Sequence, residues 1–161
     1  WRSRADLGLI YTRQGRHEEA ITEYRRAIDL KPDKGSLYNN LGASYNMVHK
    51  YDKALEAFRT ALDLGYQDAR VYNNVGLALA HSGRYTSALE AFQRAGSEAQ
   101  AYNNLGCMYL NQGKHQKAIR SFEKAIELDP AYYATAGDNL KKARGAWEEE
   151  SVNGESVNSE L

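Results

Sequence analysis

Cysteine is nearly absent from the 161 residues: Cys107 stands alone. A single cysteine cannot close an internal disulfide, so nothing ties the chain to an oxidising compartment. The two prolines, Pro32 and Pro130, stand where helices are expected to stop. No apolar run is long enough to cross a bilayer, which excludes a membrane-spanning helix. Net charge of one sign is missing too, since 21 Lys and Arg balance 21 Asp and Glu. That balance hides a gradient. Residues 148–161 hold Glu148, Glu149, Glu150, Glu155 and Glu160 and no base, leaving 21 basic against 16 acidic residues in 1–147. An excess of five is too mild for a nucleic-acid partner, which calls for a basic stripe or patch. There is no phosphate-cradling glycine loop and no Gly-x-Ser-x-Gly. A chain beginning at Trp1 is read as a processed or cut product, so a signal, a lipidation site or further repeats before it are left open, and with them the choice between cytoplasm and periplasm.

What is present is one phrase written three times: Tyr38-Asn39-Asn40-Leu41-Gly42, Tyr72-Asn73-Asn74-Val75-Gly76 and Tyr102-Asn103-Asn104-Leu105-Gly106. A degenerate first copy ends in Leu7-Gly8. The glycines at 8, 42, 76 and 106 are spaced by 34, 34 and 30 residues, a period that signals stacked helix pairs. Within 1–34, apolar and small residues recur at spacings of three and four, broken once near Gly15, which predicts helices near 3–14 and 18–30. The pattern repeats over 35–68, 69–98 and 99–133. The third unit stops about one turn early, at Gly96-Ser97, so its second helix should be short. Gly8/Ala20/Ala27, Gly42/Ala54/Ala61, Gly76/Ala88/Ala95 and Gly106/Ala118/Ala125 are the expected close contacts, because helices approach tightly only where side chains are small. Ala136, Asn139, Leu140, Ala143 and Trp147 predict a capping helix over 134–147. Residues 148–161 carry too little apolar area to order themselves and read as an acidic, flexible tail.

These residues resemble the tetratricopeptide repeat pattern: an aromatic, Leu-Gly, Tyr, Gly, Ala, an aromatic, Ala and Pro at fixed places in 34 residues. The resemblance covers 1–133 and departs from it at Arg4, His49, Tyr66 and the short third repeat. It implies an all-α fold, a right-handed α-solenoid of four helix pairs plus a C-terminal cap, with a concave wall built from the first helix of each pair. A weaker similarity, in the Tyr-Asn-Asn-Leu-Gly phrasing, is to repeat lipoproteins of bacterial pilus assembly.

The asparagines are the leading candidates for binding. Asn40, Asn74 and Asn104 recur at one place, with Asn39, Asn73 and Asn103 beside them, and a row of amides can pair with the backbone of an extended ligand whatever its side chains. Helix packing is the competing reading for the first three. The centre of the surface is expected at Asn73, Asn74, Asn103 and Asn104. By resemblance, Arg70, Leu77, His81, Cys107, Leu110 and Asn111 also face the groove, as do Arg2, Leu9, Thr12, Arg13, Ala43, Asn46, Met47, Ala80 and Gln100. The residues of the family's chaperone-tail clamp are absent, since Ala5, Leu9 and Asn74 stand at its places.

No catalytic residue, metal or cofactor is expected. His17, His49, His81 and His115 fall at four levels of the array without zinc-like spacing, and Cys107 has no activating neighbour in sequence. The reading is a non-catalytic module that binds a protein or peptide. The alternative is an assembly scaffold acting through its edges or through tail-mediated self-association, the acidic tail lying on Arg2, Arg13 or Arg70. An enzyme using His81 or Cys107 comes third.

Overall fold

A computed structural model describes the backbone of residues 1–158 and the side chains of all but Tyr132, Tyr133 and those from 153 on. Nine α-helices and one 3-10 turn, at Pro130–Tyr132, make up the described chain. Four antiparallel pairs come first: α1 (Arg2–Arg13) with α2 (His17–Leu30), α3 (Gly35–Met47) with α4 (Tyr51–Asp63), α5 (Ala69–His81) with α6 (Tyr85–Ala95), and α7 (Glu98–Asn111) with α8 (His115–Leu128). The last helix, α9 (Tyr133–Asn158), packs chiefly on α8. The fold is an all-α solenoid of paired helices. The contacts divide it into two compact units, residues 1–95 and the residues from Gly96 on.

Each first helix leans on its second through glycine. A Cβ added to Gly42 would stand 2.6 Å from the Phe58 ring, one on Gly106 2.5 Å from Phe122, and one on Gly8 2.8 Å from Tyr24; Gly76 meets Phe92 in the same way. The glycine therefore seats an aromatic ring directly on backbone. The four rings are at most 1% exposed, and burying a ring of that size is worth roughly 1.5–3 kcal/mol. The paired alanines are fully buried, except that Ala95, at the end of α6, is partly exposed. That helix has 11 residues against 14 in α2 and α8, which is the shortening that the early Gly96-Ser97 predicts. Ser97 then opens α7 with a reciprocal cap, its hydroxyl accepting from the Gln100 amide while the Gln100 side chain accepts from the Ser97 amide.

The departures from the repeat pattern have physical explanations. Three first helices end on a glycine in the left-handed region, Gly15, Gly83 and Gly113 (φ 72°, 76° and 68°), and His49 takes the same conformation at φ 59°. The turn is nevertheless the same in all four, since the next amide, Arg16, Lys50, Arg84 or Lys114, bonds back to the carbonyl of Tyr11, Tyr45, Leu79 or Tyr109 at 2.8–2.9 Å. At Tyr66 a proline would delete a bond, because the Tyr66 amide donates to the Ala61 carbonyl at 3.0 Å after Gly65 has turned the chain.

Arg4, in the place of the aromatic, donates to Glu23 at 2.8 Å, and Arg26 donates to the other oxygen of Glu23 at 2.7 Å. The next three pairs put tyrosine opposite a small residue at these two places: Tyr38 with Ala57, Tyr72 with Ala91 and Tyr102 with Ser121. An ion pair in the first repeat thus stands in for a ring on a small residue.

The final helix differs from expectation. It begins at Tyr133 and runs past Trp147 to Asn158. No proline interrupts it, Ser151 bonds back to the Trp147 carbonyl at 2.9 Å, and Glu150 is held by His115 at 2.9 Å. The side chain of Glu155 and all of Glu160 lie outside the described residues.

Candidate binding surfaces

In the first unit the amide-bearing residues of α3 and α5 meet one another. Asn74 donates to Asn39 at 3.5 Å, Asn39 to Asn40 at 3.3 Å, and Asn46 reaches across to the Asn74 backbone carbonyl at 3.0 Å. The second unit repeats the motif on α7 and α9, where Asn139 donates to Asn103 at 3.0 Å. Both rungs join the first asparagine of a Tyr-Asn-Asn phrase to the asparagine that precedes the Leu, or its Val counterpart, one first helix further on. They cover their acceptors: Asn39 and Asn103 are only 6% exposed, while Asn40, Asn73, Asn74 and Asn104 are half-buried. The resemblance places Asn46 in the groove, yet it is largely buried and its Oδ1 has no hydrogen-bond partner.

The remaining candidates divide by environment. Arg70 is exposed but engaged: its guanidinium donates to both oxygens of Asp68 and to the Tyr66 hydroxyl. The same arginine holds the Asp68 carboxyl down to about 2. Leu77 and Leu110 are half-buried, Asn111 is exposed, and Ala80 is fully buried. Large apolar exposure on the first helices falls at Leu9 (42%) and Met47 (55%), with Ile10 beside Leu9.

His81 stacks flat on Tyr51 at 5.0 Å, and His49 contacts the edge of the same ring and shares a 2.7 Å hydrogen bond with its hydroxyl. Covering of the ring, and secondarily the neighbouring His49, pull His81 below the usual histidine value even though the residue as a whole is exposed. Burial pushes the Cys107 thiol up, Lys142 opposing it only in part, and Asn139 donates to the sulfur at 3.6 Å. A thiol held protonated is a poor nucleophile. Among the described residues, no three His, Cys, Asp or Glu side chains converge as a metal site requires, and no helix is long and apolar enough to cross a membrane.

Sequence reasoning missed Glu23 and the amide rungs. The signal for Glu23 was present: an acid stands where the other repeats carry Ala57, Ala91 and Ser121. The rungs link residues 35 and 36 positions apart, one more and two more than the 34-residue spacing.

A stack of helix pairs with exposed first-helix side chains defines a helical-repeat protein of the kind that binds other proteins. Tetratricopeptide family models match residues 8–47 ("TPR repeat"), 48–97 and 99–132 (both "Tetratricopeptide repeat"), and the chain belongs to that family. Members are in general non-catalytic interaction modules. None of the curated proteins matches the sequence. Among solved structures, a MamA protein is similar at 26% identity and TM-score 0.64, over 94% of this chain and 86% of that one. The pilF protein of Pseudomonas aeruginosa is similar at 26% and 0.63, over 91% and 73%. YrrB, described as a TPR protein with an unusual peptide-binding site, shares the fold at 23% and 0.62, over 90% and 76%.

Proposed function

We propose that the first unit is a non-catalytic adaptor that holds an extended peptide segment of a protein partner along α1, α3 and α5. The observation that carries this reading is the exposure of Met47 and Leu9 at groove positions whose neighbours are amides and arginines. Apolar side chains left in water beside hydrogen-bonding groups supply the two things an extended ligand needs, a place for alternate side chains and partners for its backbone. Arg2 and Arg13 are exposed at groove positions and outnumber the acid Asp6, which stands on α1 at the place of Asn40 and Asn74, so a segment carrying carboxylates is favoured. Asn40 lies on α3, the middle helix of this surface, and Asn73 and Asn74 follow one first helix further on, on α5.

The test is capture of a partner from the source cell with crosslinking and mass spectrometry, followed by titration of the crosslinked segment as a synthetic peptide. Met47→Glu with Arg13→Glu should weaken that peptide at least tenfold while leaving the melting temperature unchanged. Unchanged affinity would place the ligand elsewhere. A scaffold acting by self-association predicts instead a mass that rises with concentration in light scattering.

A further inference from the structure

A cleft between α4, α5 and α6 is unlike its counterpart one repeat earlier. Three repeats place a tyrosine three residues after the first-helix glycine: Tyr11, Tyr45 and Tyr109. The third places Leu79 there. Between α2, α3 and α4, Tyr45 borders two cavities of about 230 and 530 Å³, with Arg25 and Lys53 lining both. Leu79 borders a cleft of about 610 Å³, with Tyr72, Val75, Leu79 and Ala91 among its lining residues and Glu90 and Arg94 contributing charge. A leucine ends where the outer half of a tyrosine ring and its hydroxyl would begin.

We propose that this cleft is a second binding site, for the side chain of a tyrosine presented by a partner polypeptide. Its shape argues for an aromatic, because the chain puts a tyrosine of its own in the equivalent place. Its polar groups argue for a phenol. Glu90 occupies the position that Glu56 holds beside Tyr45, where a carboxylate can accept from a phenolic hydroxyl. The Arg94 guanidinium lies 5.8 Å from the centre of the Tyr72 ring, leaving a cation able to take a second aromatic face.

The site is independent of the peptide surface. At about 100° of turn per residue, Tyr72, Val75 and Leu79 lie on one side of α5 and Arg70, Asn73, Leu77 and His81 on the other. Both surfaces can therefore be occupied at once, and loss of one leaves the other intact.

The probe is p-cresol, the tyrosine side chain itself, titrated into the full ¹⁵N-labelled chain. Saturable amide shifts confined to the lining of the cleft, in α5, α6 and the end of α4 around Leu62, are expected, with a Kd on the order of 1 mM for so small a ligand. Isoamyl alcohol, a leucine-like probe, should bind several-fold more weakly. Leu79→Tyr should fill the cleft from within, abolish those shifts and raise the melting temperature. Should that variant fail to fold, Arg94→Ala replaces it and should weaken p-cresol about threefold. The proposal is overturned if wild type shows no saturable shifts in α5 and α6, if isoamyl alcohol binds equally well, or if the folded variant binds p-cresol as wild type does.

Discussion

The edge of the Phe122 ring stands 2.5 Å from where a Cβ on Gly106 would be. Leucine at Gly106 must push that ring out of a fully buried position, and a close-packed core does not yield cheaply. Gly106→Leu is expected to destabilise by about 1–3 kcal/mol or more, read as a lower midpoint in thermal or urea melts. Gly145 is the control. It lies inside α9 with nothing within 4 Å of the point a methyl group would occupy, so Gly145→Ala should stabilise by about 0.5–1 kcal/mol. Equal effects at the two glycines would refute the packing account.

The Arg4–Glu23 pair predicts a non-additive cycle. Arg4→Tyr alone sets a ring against a buried carboxylate, and Glu23→Ala alone removes the acceptor of two arginines; each should destabilise. Together they recreate the Tyr–Ala arrangement of the second and third repeats, and the double variant should melt at or above wild type, because an ion pair whose arginine is half-exposed contributes little that an apolar contact does not replace. Summed single effects in the double variant would sink this interpretation.

The same pair carries a pH signature. The hydrogen bond from Arg4, aided by Arg26 and opposed by burial, lowers the Glu23 pKa from its ordinary 4.5. A carboxyl with a lowered folded value contributes stability that is fully present above about 4.5 and is lost as pH falls through the lowered value. Denaturant melts from pH 6 down to pH 3 should show that loss, and Glu23→Gln should flatten it. A slope identical in the two proteins would assign the acid sensitivity to other groups.

His49 pays a conformational penalty that glycine avoids at the same point of the other turns. His49→Gly removes a strained left-handed residue at the cost of an exposed contact with Tyr51, and a gain of several tenths of a kcal/mol to about 1 kcal/mol is expected. Gly83→Ala, at φ 76°, should shift the melting midpoint the opposite way. A lower midpoint for His49→Gly would mean that the His49–Tyr51–His81 contact outweighs the strain.

The rungs give a last prediction. Asn139→Ala deletes the bond to Asn103 and the contact with Cys107, leaves a buried acceptor unmatched, and should cost about 1–2 kcal/mol. Greater reactivity of Cys107 toward a thiol reagent should accompany it, since the sulfur loses a covering side chain. Unchanged stability and unchanged thiol reactivity together would show that the rung is incidental.

How much of this was legible in the sequence depended on distance along the chain. Helix pairing was readable because Gly8, Ala20 and Ala27 and their equivalents recur at helical spacing, and tight packing permits few other residues there. The left-handed turn at His49 was visible as a substitution but not as a conformation, since histidine does not demand one. The Arg4–Glu23 pair needed a comparison of two columns of the repeat rather than one. The rungs from Asn74 to Asn39 and from Asn139 to Asn103 depend on how neighbouring first helices are offset, which no periodicity within a single helix encodes. The extent of α9 was hidden because its continuation beyond Trp147 is helped by single local contacts, such as His115 with Glu150.

In α9, Asn139-Leu140 copies the end of the phrase carried by the earlier first helices, but the residue that follows is Lys141, where each of the others has glycine. That glycine is the seat for the ring of a second helix, and a four-carbon stem ending in charge leaves no room for one. α9 can thus dock backward onto α8 without offering a matching socket for a forward partner. Anyone lengthening this protein by grafting on another repeat would have to replace Lys141 with glycine before the added module could latch.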